Sequence, residues 1–291
     1  MVCGCIDIGS NTTRVLVAEV LDGRLTEVLQ DRAFTRIGAD LRAWGRIGAA
    51  KIDEVARVVE HQLGLAREAG VEQLRVVATA AIRSARNGSQ LCDGVKRRTG
   101  ADVDVLDGTQ EARLAFLGAT RTLDPPPEGT VAVVDVGGGS SEIAIGTLDG
   151  GVTWSRSLAV GSGVLADAHV RADPPARQDI VAIAAAARFA FEGIDVPDHD
   201  VAIAVGGSAA SLRAVAGPVL DGDAIDRSVQ ELCSAAADEV AERHGLDARR
   251  VRLMPAGLLV LAEASRVLGR PLQLGCGGLR EGVVLELAGA A

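Results

Sequence analysis

Residues 131–146 read VAVVDVGGGSSEIAIG, and this stretch predicts a strand, a tight turn and a second strand. The residues between and beside the two apolar runs are Asp135, Gly137, Gly138, Gly139, Ser140 and Ser141. Because glycine has no Cβ, the backbone N–H groups of such a turn can approach an anion closely, and the two hydroxyls add further donors. The turn is therefore a candidate phosphate-binding site.

Two acidic residues, Asp135 and Glu142, lie at the edges of this turn and would repel a bare phosphate. A divalent cation between the carboxylates and the phosphate removes that conflict, and carboxylate oxygens are ligands that Mg²⁺ accepts. The stretch thus predicts a metal-phosphate site. The expected cofactor is Mg²⁺ or another divalent cation such as Mn²⁺.

The start of the chain repeats this pattern. Residues 6–20 read IDIGSNTTRVLVAEV, whereas residues 134–148 read VDVGGGSSEIAIGTL. The matching pairs are Asp7 with Asp135, Gly9 with Gly137, Thr12 with Ser140, Thr13 with Ser141, and Arg14 with Glu142. The repeat predicts two copies of one domain, whose two turns would face each other across a cleft and offer N–H and hydroxyl groups to one ligand.

Length and composition agree with a two-domain α/β protein. A chain of 291 residues can bury two cores, and 48% apolar residues with 35 glycines suit compact α/β domains. The segment DPPPEG at residues 124–129 is the clearest linker. We therefore expect one domain at residues 1–124 and a second at residues 125–291, with the last helix able to pack back on the first domain.

Charge and hydropathy exclude several classes of partner. The net charge of −9 argues against generic binding to nucleic acid or to a membrane surface. The sequence has neither a signal peptide nor an uncharged apolar run of about 18 residues, so we expect a soluble, cytoplasmic protein. The basic residues are mostly arginine, which suits phosphate binding, although a coding bias toward Arg and Ala is the favoured explanation of the excess as a whole.

Several other elements follow from local patterns. Apolar residues spaced by three and four predict a helix from Lys51 to Ala69, and residues 74–79 predict a buried strand. The glycine-containing stretch Ile37–Gly48 is expected to be a loop. Residues 228–243 are expected to form one helix, and Thr109 is expected to cap the helix that follows it.

The residue types alone leave three candidate groups open. Arg83 lies in the first turns after a buried strand, where it is either a phosphate ligand or an ordinary surface arginine. Glu111 lies in the first turn of a helix, where it either complements the helix dipole or acts as a general base. The turn Gly206-Gly207-Ser208 is an anion or ribose site, or a packing feature.

Six ordered motifs extend over the whole chain: IDIGSNTTR, ATAAIRSARN, GTQEARLAFLG, VVDVGGGSSEIAIG, VGGSAASL and GGLREGVV. Together they resemble the exopolyphosphatase and guanosine pentaphosphate phosphohydrolase family of the actin-like ATPase superfamily, in its short two-domain form. The resemblance implies two ribonuclease-H-like domains, with mixed sheets flanked by helices and the active site in the cleft between them.

The resemblance also implies a role for each matching residue. Glu111 would be the catalytic carboxylate that activates water, and Asp135 and Glu142 would hold the metal. Arg83 would contact phosphate, and Gly206, Gly207 and Ser208 would form the nucleotide-side turn. The two phosphate-binding turns would comprise Asp7, Gly9, Ser10, Asn11 and Thr12, and Gly137, Gly138, Gly139, Ser140 and Ser141. Gln110 departs from the acidic pair that the family often has before Ala112.

The activity implied first is removal of the terminal phosphate from inorganic polyphosphate. A guanosine pentaphosphate phosphatase is the alternative, and a non-enzymatic sensor of polyphosphate or of guanosine penta- or tetraphosphate is a third hypothesis. The presence of Glu111, Asp135 and Glu142 together favours an enzyme. The family also suggests a homodimer.

Overall fold

The computed structural model describes residues 1–290 and divides the chain into two compact units. The first unit comprises Met1–Thr122 together with the chain from Gly277 onward, and the second comprises Leu123–Cys276. The first division lies beside the Pro-rich linker at residues 124–129. The second lies before the last helix, which the structure groups with the first unit.

The first unit is built on a five-stranded sheet with strand order β3-β2-β1-β4-β5. Its elements up to the linker are β1 (Val2–Ile8), β2 (Thr13–Leu21), β3 (Arg24–Ala33), α1 (Ile37–Trp44), α2 (Ala49–Glu68), β4 (Gln73–Ala78), α3 (Ala80–Ser84), α4 (Gly88–Thr99), β5 (Val103–Val105) and α5 (Gly108–Arg121). The first three strands are antiparallel, and β4 then runs parallel to β1.

The second unit repeats this order of strands. Its elements are β6 (Val131–Val136), β7 (Ser141–Thr147), β8 (Gly151–Leu158), α6 (Ser162–His169), α7 (Arg177–Ala190), β9 (Val201–Val205), α8 (Gly206–Ala216), β10 (Val219–Leu220), α9 (Gly222–Leu232), α10 (Ala237–His244), α11 (Ala248–Val251), α12 (Met254–Leu268) and β11 (Leu272–Leu274). The six-stranded sheet has the order β10-β11-β9-β6-β7-β8. As in the first unit, three antiparallel strands come first and the next main strand, β9, pairs parallel with the first of them. The predicted mixed α/β architecture is therefore confirmed.

Alternation along β1 divides the core of the first unit into two layers. Ile6 and Ile8 belong to the layer that contains α2 and α4 residues, whereas Cys3 and Cys5 belong to the layer of α5 and the last helix, α13 (Leu279–Leu287). Successive side chains of a strand point to opposite faces, so Asp7 shares the face of Cys3 and Cys5. The sheet thus directs a carboxylate toward the α5 and α13 side.

The predicted helix at Lys51–Ala69 and the predicted strand at residues 74–79 are confirmed as α2 and β4. The expected loop at Ile37–Gly48 is wrong, because it contains α1. No side chain caps the start of α1, and Arg36 there has a left-handed backbone with φ 47°. The sequence therefore carries no ordinary start signal for this helix.

The expected single helix at residues 228–243 is also wrong, because α9 ends before Cys233 and α10 begins at Ala237. The Ala237 N–H donates to Asp173 Oδ1 at 2.8 Å, so a residue distant in sequence fixes the break. Within residues 1–290, no helix has the length and apolar character needed to cross a bilayer.

Glycines bring α13 against α5. A Cβ added at Gly118 would overlap the carbonyl oxygen of Gly278, and one added at Gly282 would overlap the carbonyl oxygen of Leu114. The two helices can approach this closely only because both contact positions lack a side chain. The chain from Gly277 onward is thereby held on the first unit.

Gly282→Ala should lower the free energy of unfolding by about 1–3 kcal/mol, because the new methyl group must displace the backbone of α5. Chemical denaturation of the purified variant measures this. Gly64→Ala is the matched control, since a Cβ at this helical position meets no atom within 4 Å. Replacing a helical glycine should stabilise the control by about 1 kcal/mol. Unchanged stability of Gly282→Ala would contradict the close helix contact.

Candidate functional site

The two predicted phosphate-binding turns close with the same hydrogen bond. The Gly9 N–H donates to the Thr12 carbonyl at 3.0 Å, and the Gly137 N–H donates to the Ser140 carbonyl at 3.0 Å. A Cβ added at either glycine would lie 3.1 Å from that carbonyl oxygen, which is tighter than almost all real Cβ contacts. The repeat predicted from sequence is therefore present in the backbone geometry of both turns.

In the first turn, the backbone carbonyls are occupied by the start of α1. The Ser10 carbonyl accepts from the Gly38 N–H at 2.7 Å, and the Asn11 carbonyl accepts from the Arg36 N–H at 2.9 Å. The amide N–H groups of Ser10 and Asn11 have no recorded hydrogen bond within residues 1–290. The turn can therefore offer donors, rather than acceptors, to an anion.

In the second turn, backbone N–H groups at the start of α6 likewise hydrogen-bond to carbonyls of the turn. The Gly137 carbonyl accepts from the Ser162 N–H at 2.9 Å, and the Gly138 carbonyl accepts from the N–H groups of Gly163 and Val164 at 3.0 Å. The amide of Gly138, like that of Gly139, has no recorded hydrogen bond in the described part of the chain.

Gly161, for which the sequence predicted no role at the site, also belongs to this arrangement. A Cβ added at Gly161 would lie 2.7 Å from the backbone nitrogen of Gly139 and 2.7 Å from the carbonyl carbon of Gly138. The start of α6 can support the turn only if this position is glycine. The signal for it was the Gly-Ser-Gly sequence at residues 161–163, which is a glycine turn directly before a helix.

The hydroxyl residues of the second turn have different surroundings. The Ser141 hydroxyl is fully buried and donates to the Val160 carbonyl at 2.7 Å, so this hydroxyl stabilises the fold. Ser140 is also buried. In the first unit, Thr13 is similarly buried, and its hydroxyl hydrogen-bonds that of Thr35 at 3.1 Å.

The first turn contains two buried polar atoms without a hydrogen-bond partner among the described residues, Asp7 Oδ1 and Asn11 Nδ2. Burial raises the pKa of Asp7, while the positive charges of Arg280 and Arg14 oppose that rise. Arg14 also donates from Nε to the Thr12 hydroxyl at 3.2 Å. Buried polar groups are nearly always satisfied in proteins, so the unpaired atoms indicate a place for a ligand or water.

The start of α5 explains the departure at Gln110. Asp107 caps the helix, because its Oδ1 accepts from the Gln110 N–H at 2.8 Å, and Gln110 Oε1 accepts from the Asp107 N–H at 2.9 Å. The expectation that Thr109 caps this helix is wrong, since Asp107 already accepts the free amide hydrogen. The exposed side chain of Gln110 thus completes a capping box at the start of α5. The side chain of the next residue, Glu111, is buried.

Glu111 is 5% exposed and forms an ion pair with Arg83. Arg83 Nη1 also donates to the Leu106 carbonyl at 2.6 Å, at the end of β5. The arginine thus joins α3, β5 and α5 at one edge of the sheet. A buried, paired carboxylate differs from the solvent-exposed glutamate that would serve only the helix dipole.

The two acidic candidates of the second unit lie opposite each other on neighbouring strands, since Asp135 pairs with Glu142 in the β6–β7 register. Glu142 is 4% exposed, and its Oε1 accepts from the Ser157 hydroxyl at 2.8 Å. Gly206 at the start of α8 has φ +82°, and a Cβ added there would overlap Asp135 Oδ1. Gly206 therefore makes room for the Asp135 carboxylate.

These carboxylates fit one mode of metal binding. Among residues 1–290 there is no group of three or more His, Cys, Asp or Glu side chains suited to hold a metal. Mg²⁺ commonly uses one or two carboxylates and completes its octahedron with water and substrate phosphates. Asp135 and Glu142 match that mode and do not match an all-protein cage.

The residues of the predicted nucleotide-side turn have different contacts. Ser208 is buried, and a Cβ added at Gly257 of α12 would lie 2.7 Å from its hydroxyl oxygen. Ser208 thus packs against α12. Gly206 contacts Asp135, as described, and Gly207 accepts a hydrogen bond at its carbonyl from the Ser211 hydroxyl at 3.0 Å.

Three comparisons relate this chain to known proteins. The Ppx/GppA phosphatase family profile matches residues 16–291. Exopolyphosphatase 1 of Mycobacterium tuberculosis is 27% identical, over 97% of this chain and 87% of its own length. Guanosine-5'-triphosphate,3'-diphosphate pyrophosphatase of Aeromonas hydrophila is 26% identical, over 98% of this chain and 59% of its own length. The crystal structure of the Aquifex aeolicus Ppx/GppA family member has a TM-score of 0.81 and 29% identity, covering 99% of this chain and 97% of that one.

Asp7→Asn should raise the melting temperature at pH 7. Because burial raises the pKa of Asp7, the folded state favours the protonated carboxyl, and ionised Asp7 therefore lowers stability at neutral pH. The advantage of the variant should shrink as the pH falls toward about 3.9, where a solvated aspartate also becomes protonated. Thermal unfolding across pH measures both effects. Asp149→Asn, in an exposed turn, is the control. A less stable Asp7→Asn protein at pH 7 would show that Arg14 and Arg280 outweigh burial.

Proposed function

Because the chain belongs to the Ppx/GppA phosphatase family, we propose that it is an exopolyphosphatase that hydrolyses the terminal phosphoanhydride bond of inorganic polyphosphate and releases orthophosphate. The observation that carries the proposal is the ion pair at the sheet edge between the buried carboxylate of Glu111 and the exposed side chain of Arg83. It combines a carboxylate that can accept a proton with an arginine that can bind phosphate.

In the proposed reaction, Glu111 orients the attacking water and accepts its proton as the water oxygen bonds to the terminal phosphorus. The bond from that phosphorus to the bridging oxygen breaks, and the shortened chain leaves. Arg83 uses Nη1 for Glu111 and Leu106, and no partner among the described residues is recorded for its other N–H groups. Those groups are suited to hold the phosphate while the same side chain fixes the base.

The two turns supply backbone donors for phosphate oxygens. Phosphoryl transfer depends mainly on positioning and on neutralising charge, so fixed N–H groups contribute directly to catalysis. Asp135 and Glu142 are the residues proposed to hold Mg²⁺, which would neutralise charge on the phosphate oxygens when bound. Gly206 would leave the space that the Asp135 carboxylate occupies.

The second candidate is a guanosine pentaphosphate phosphatase, which the Aeromonas hydrophila relative favours by its name. It would cleave the same type of bond with the same residues. The chain covers 59% of that relative but 87% of the Mycobacterium tuberculosis exopolyphosphatase, which supports placing the exopolyphosphatase proposal first.

Glu111→Gln should reduce phosphate release about a hundredfold to ten-thousandfold, because the amide cannot accept the water proton. The substitution preserves size, so far-UV circular dichroism and polyphosphate binding should be unchanged. Glu128→Gln, in the exposed linker, is the control and should retain full activity. Near-normal turnover by Glu111→Gln would rule out this residue as the base.

Gly206→Ala should raise the Mg²⁺ concentration needed for half-maximal phosphate release about tenfold or more, because the new methyl group displaces the Asp135 carboxylate. Titration of activity with Mg²⁺ measures this. Gly217→Ala is a matched control, since Gly217 has φ +84° but no atom within 4 Å of an added Cβ. An equal effect of both substitutions would assign the change to backbone strain and not to Asp135.

A further inference from the structure

Helix α1 and its flanks carry an excess of arginine beside the first phosphate-binding turn. Between Phe34 and Gly48 the chain has three arginines and one acidic residue: Arg36, Arg42, Arg46 and Asp40. The carboxylate Oδ2 of Asp40 accepts from the Gly48 N–H at 3.0 Å, so the acidic group is bound to the backbone at the C-terminal side of the helix. This segment therefore has more basic than acidic side chains, although the protein as a whole is acidic.

Arg42 folds back along α1 toward the turn. A Cβ added at Gly38 would lie 3.1 Å from Arg42 Nη1 and 3.3 Å from the Ser10 carbonyl oxygen. Long helical side chains point toward the N-terminus of their helix, which explains this direction. The guanidinium group of Arg42 thus lies beside the first phosphate-binding turn.

Arg36 is fixed next to the same turn. Its N–H donates to the Asn11 carbonyl, and its backbone is left-handed, which costs energy for a residue other than glycine. Burial and the positive charge of Arg36 both lower the pKa of Arg42. The two guanidinium groups therefore lie close enough for their charges to interact, beside a turn whose amides can donate to an anion.

Arg86 lies at the other end of α1. Its N–H donates to the Gly45 carbonyl at 3.4 Å, and a Cβ added at Gly45 would lie 3.8 Å from Arg86 Nε. Asn87 holds this end in place, because its side chain accepts from the Ile47 N–H at 2.8 Å and donates to the Ile47 carbonyl at 2.9 Å. Arg86 also follows Arg83 by three residues.

We propose that Arg36, Arg42 and Arg86 form an arginine strip along α1 that binds the phosphates behind the terminal one in a linear polyphosphate. This inference rests on the proposed exopolyphosphatase function and specifies its substrate. The guanidinium group of arginine can donate two parallel hydrogen bonds to a pair of phosphate oxygens. Successive guanidinium groups along a helix therefore suit a chain that carries a negative charge on every phosphate unit.

The length of the strip favours a linear polyanion over a nucleotide. Gly38, beside Arg42, and Gly45, beside Arg86, are seven positions apart, so the strip extends for about 10 Å at 1.5 Å per helical residue. A polyphosphate carries negative charge along that whole distance. A guanosine pentaphosphate would place an uncharged base and sugar along part of it.

The test uses Arg36→Gln, Arg42→Gln and Arg86→Gln, singly and together. Each single change should raise the ratio of the KM for long-chain polyphosphate to the KM for tripolyphosphate about tenfold, because one charge-assisted phosphate contact is lost. Arg67→Gln, an exposed arginine at the end of α2, is the matched control and should leave the ratio unchanged. An unchanged ratio in the triple variant, or an equal rise in KM for guanosine pentaphosphate, would overturn the strip.

A binding measurement separates this inference from the proposed activity. Trp44 on α1 is 75% exposed, and the other tryptophan, Trp154, can be replaced by Phe. In Trp154→Phe protein with the Glu111→Gln change, titration with long-chain polyphosphate should alter Trp44 fluorescence, and the triple arginine variant should need at least a hundredfold more polyphosphate. If polyphosphate binding depends on the arginines but the Trp154→Phe protein does not hydrolyse polyphosphate, the proposed exopolyphosphatase activity is rejected and the arginine strip is supported. If the triple arginine variant binds polyphosphate as tightly as the parent protein, the arginine strip is rejected, whether or not the protein hydrolyses polyphosphate.

Discussion

One backbone hydrogen bond, from a glycine N–H to the carbonyl three residues later, determines the shape of both predicted phosphate-binding turns. It joins Gly9 to Thr12 and Gly137 to Ser140. The start of the neighbouring helix occupies two further carbonyls of each turn, and backbone amides are groups left for a ligand. The positive character of each turn thus comes from the arrangement of the main chain.

The need to offer polar groups to a ligand explains why residues that lower the stability of the fold are retained beside the first turn. Asp7 keeps an unpaired buried oxygen, and burial raises its pKa even though two arginines oppose the effect. Arg36 keeps a left-handed backbone beside the first turn. Such features lower stability and are retained where binding or catalysis needs them. Glu111 differs from Asp7, because its buried carboxylate forms an ion pair with Arg83 within the protein.

Local patterns predicted the parts of the structure that local interactions determine. The repeated hairpins depend on glycine, alternation and a short turn, so they could be inferred from residues 6–20 and 134–148. Helix α1 could not be inferred, because its start is stabilised by carbonyls of a turn far away in sequence rather than by a capping side chain. The break between α9 and α10 depends on Asp173 in the same way. Family membership was visible in six motifs, whereas the contact between Gly206 and Asp135 required coordinates.

The most direct test of the central claim is phosphate release from long-chain polyphosphate, tripolyphosphate and guanosine pentaphosphate, each measured with and without Mg²⁺. The account predicts Mg²⁺-dependent release of orthophosphate that is most efficient, by kcat/KM, with long-chain polyphosphate. Release confined to guanosine pentaphosphate would contradict the substrate assignment, and no release from any of the three would contradict the proposed enzyme activity.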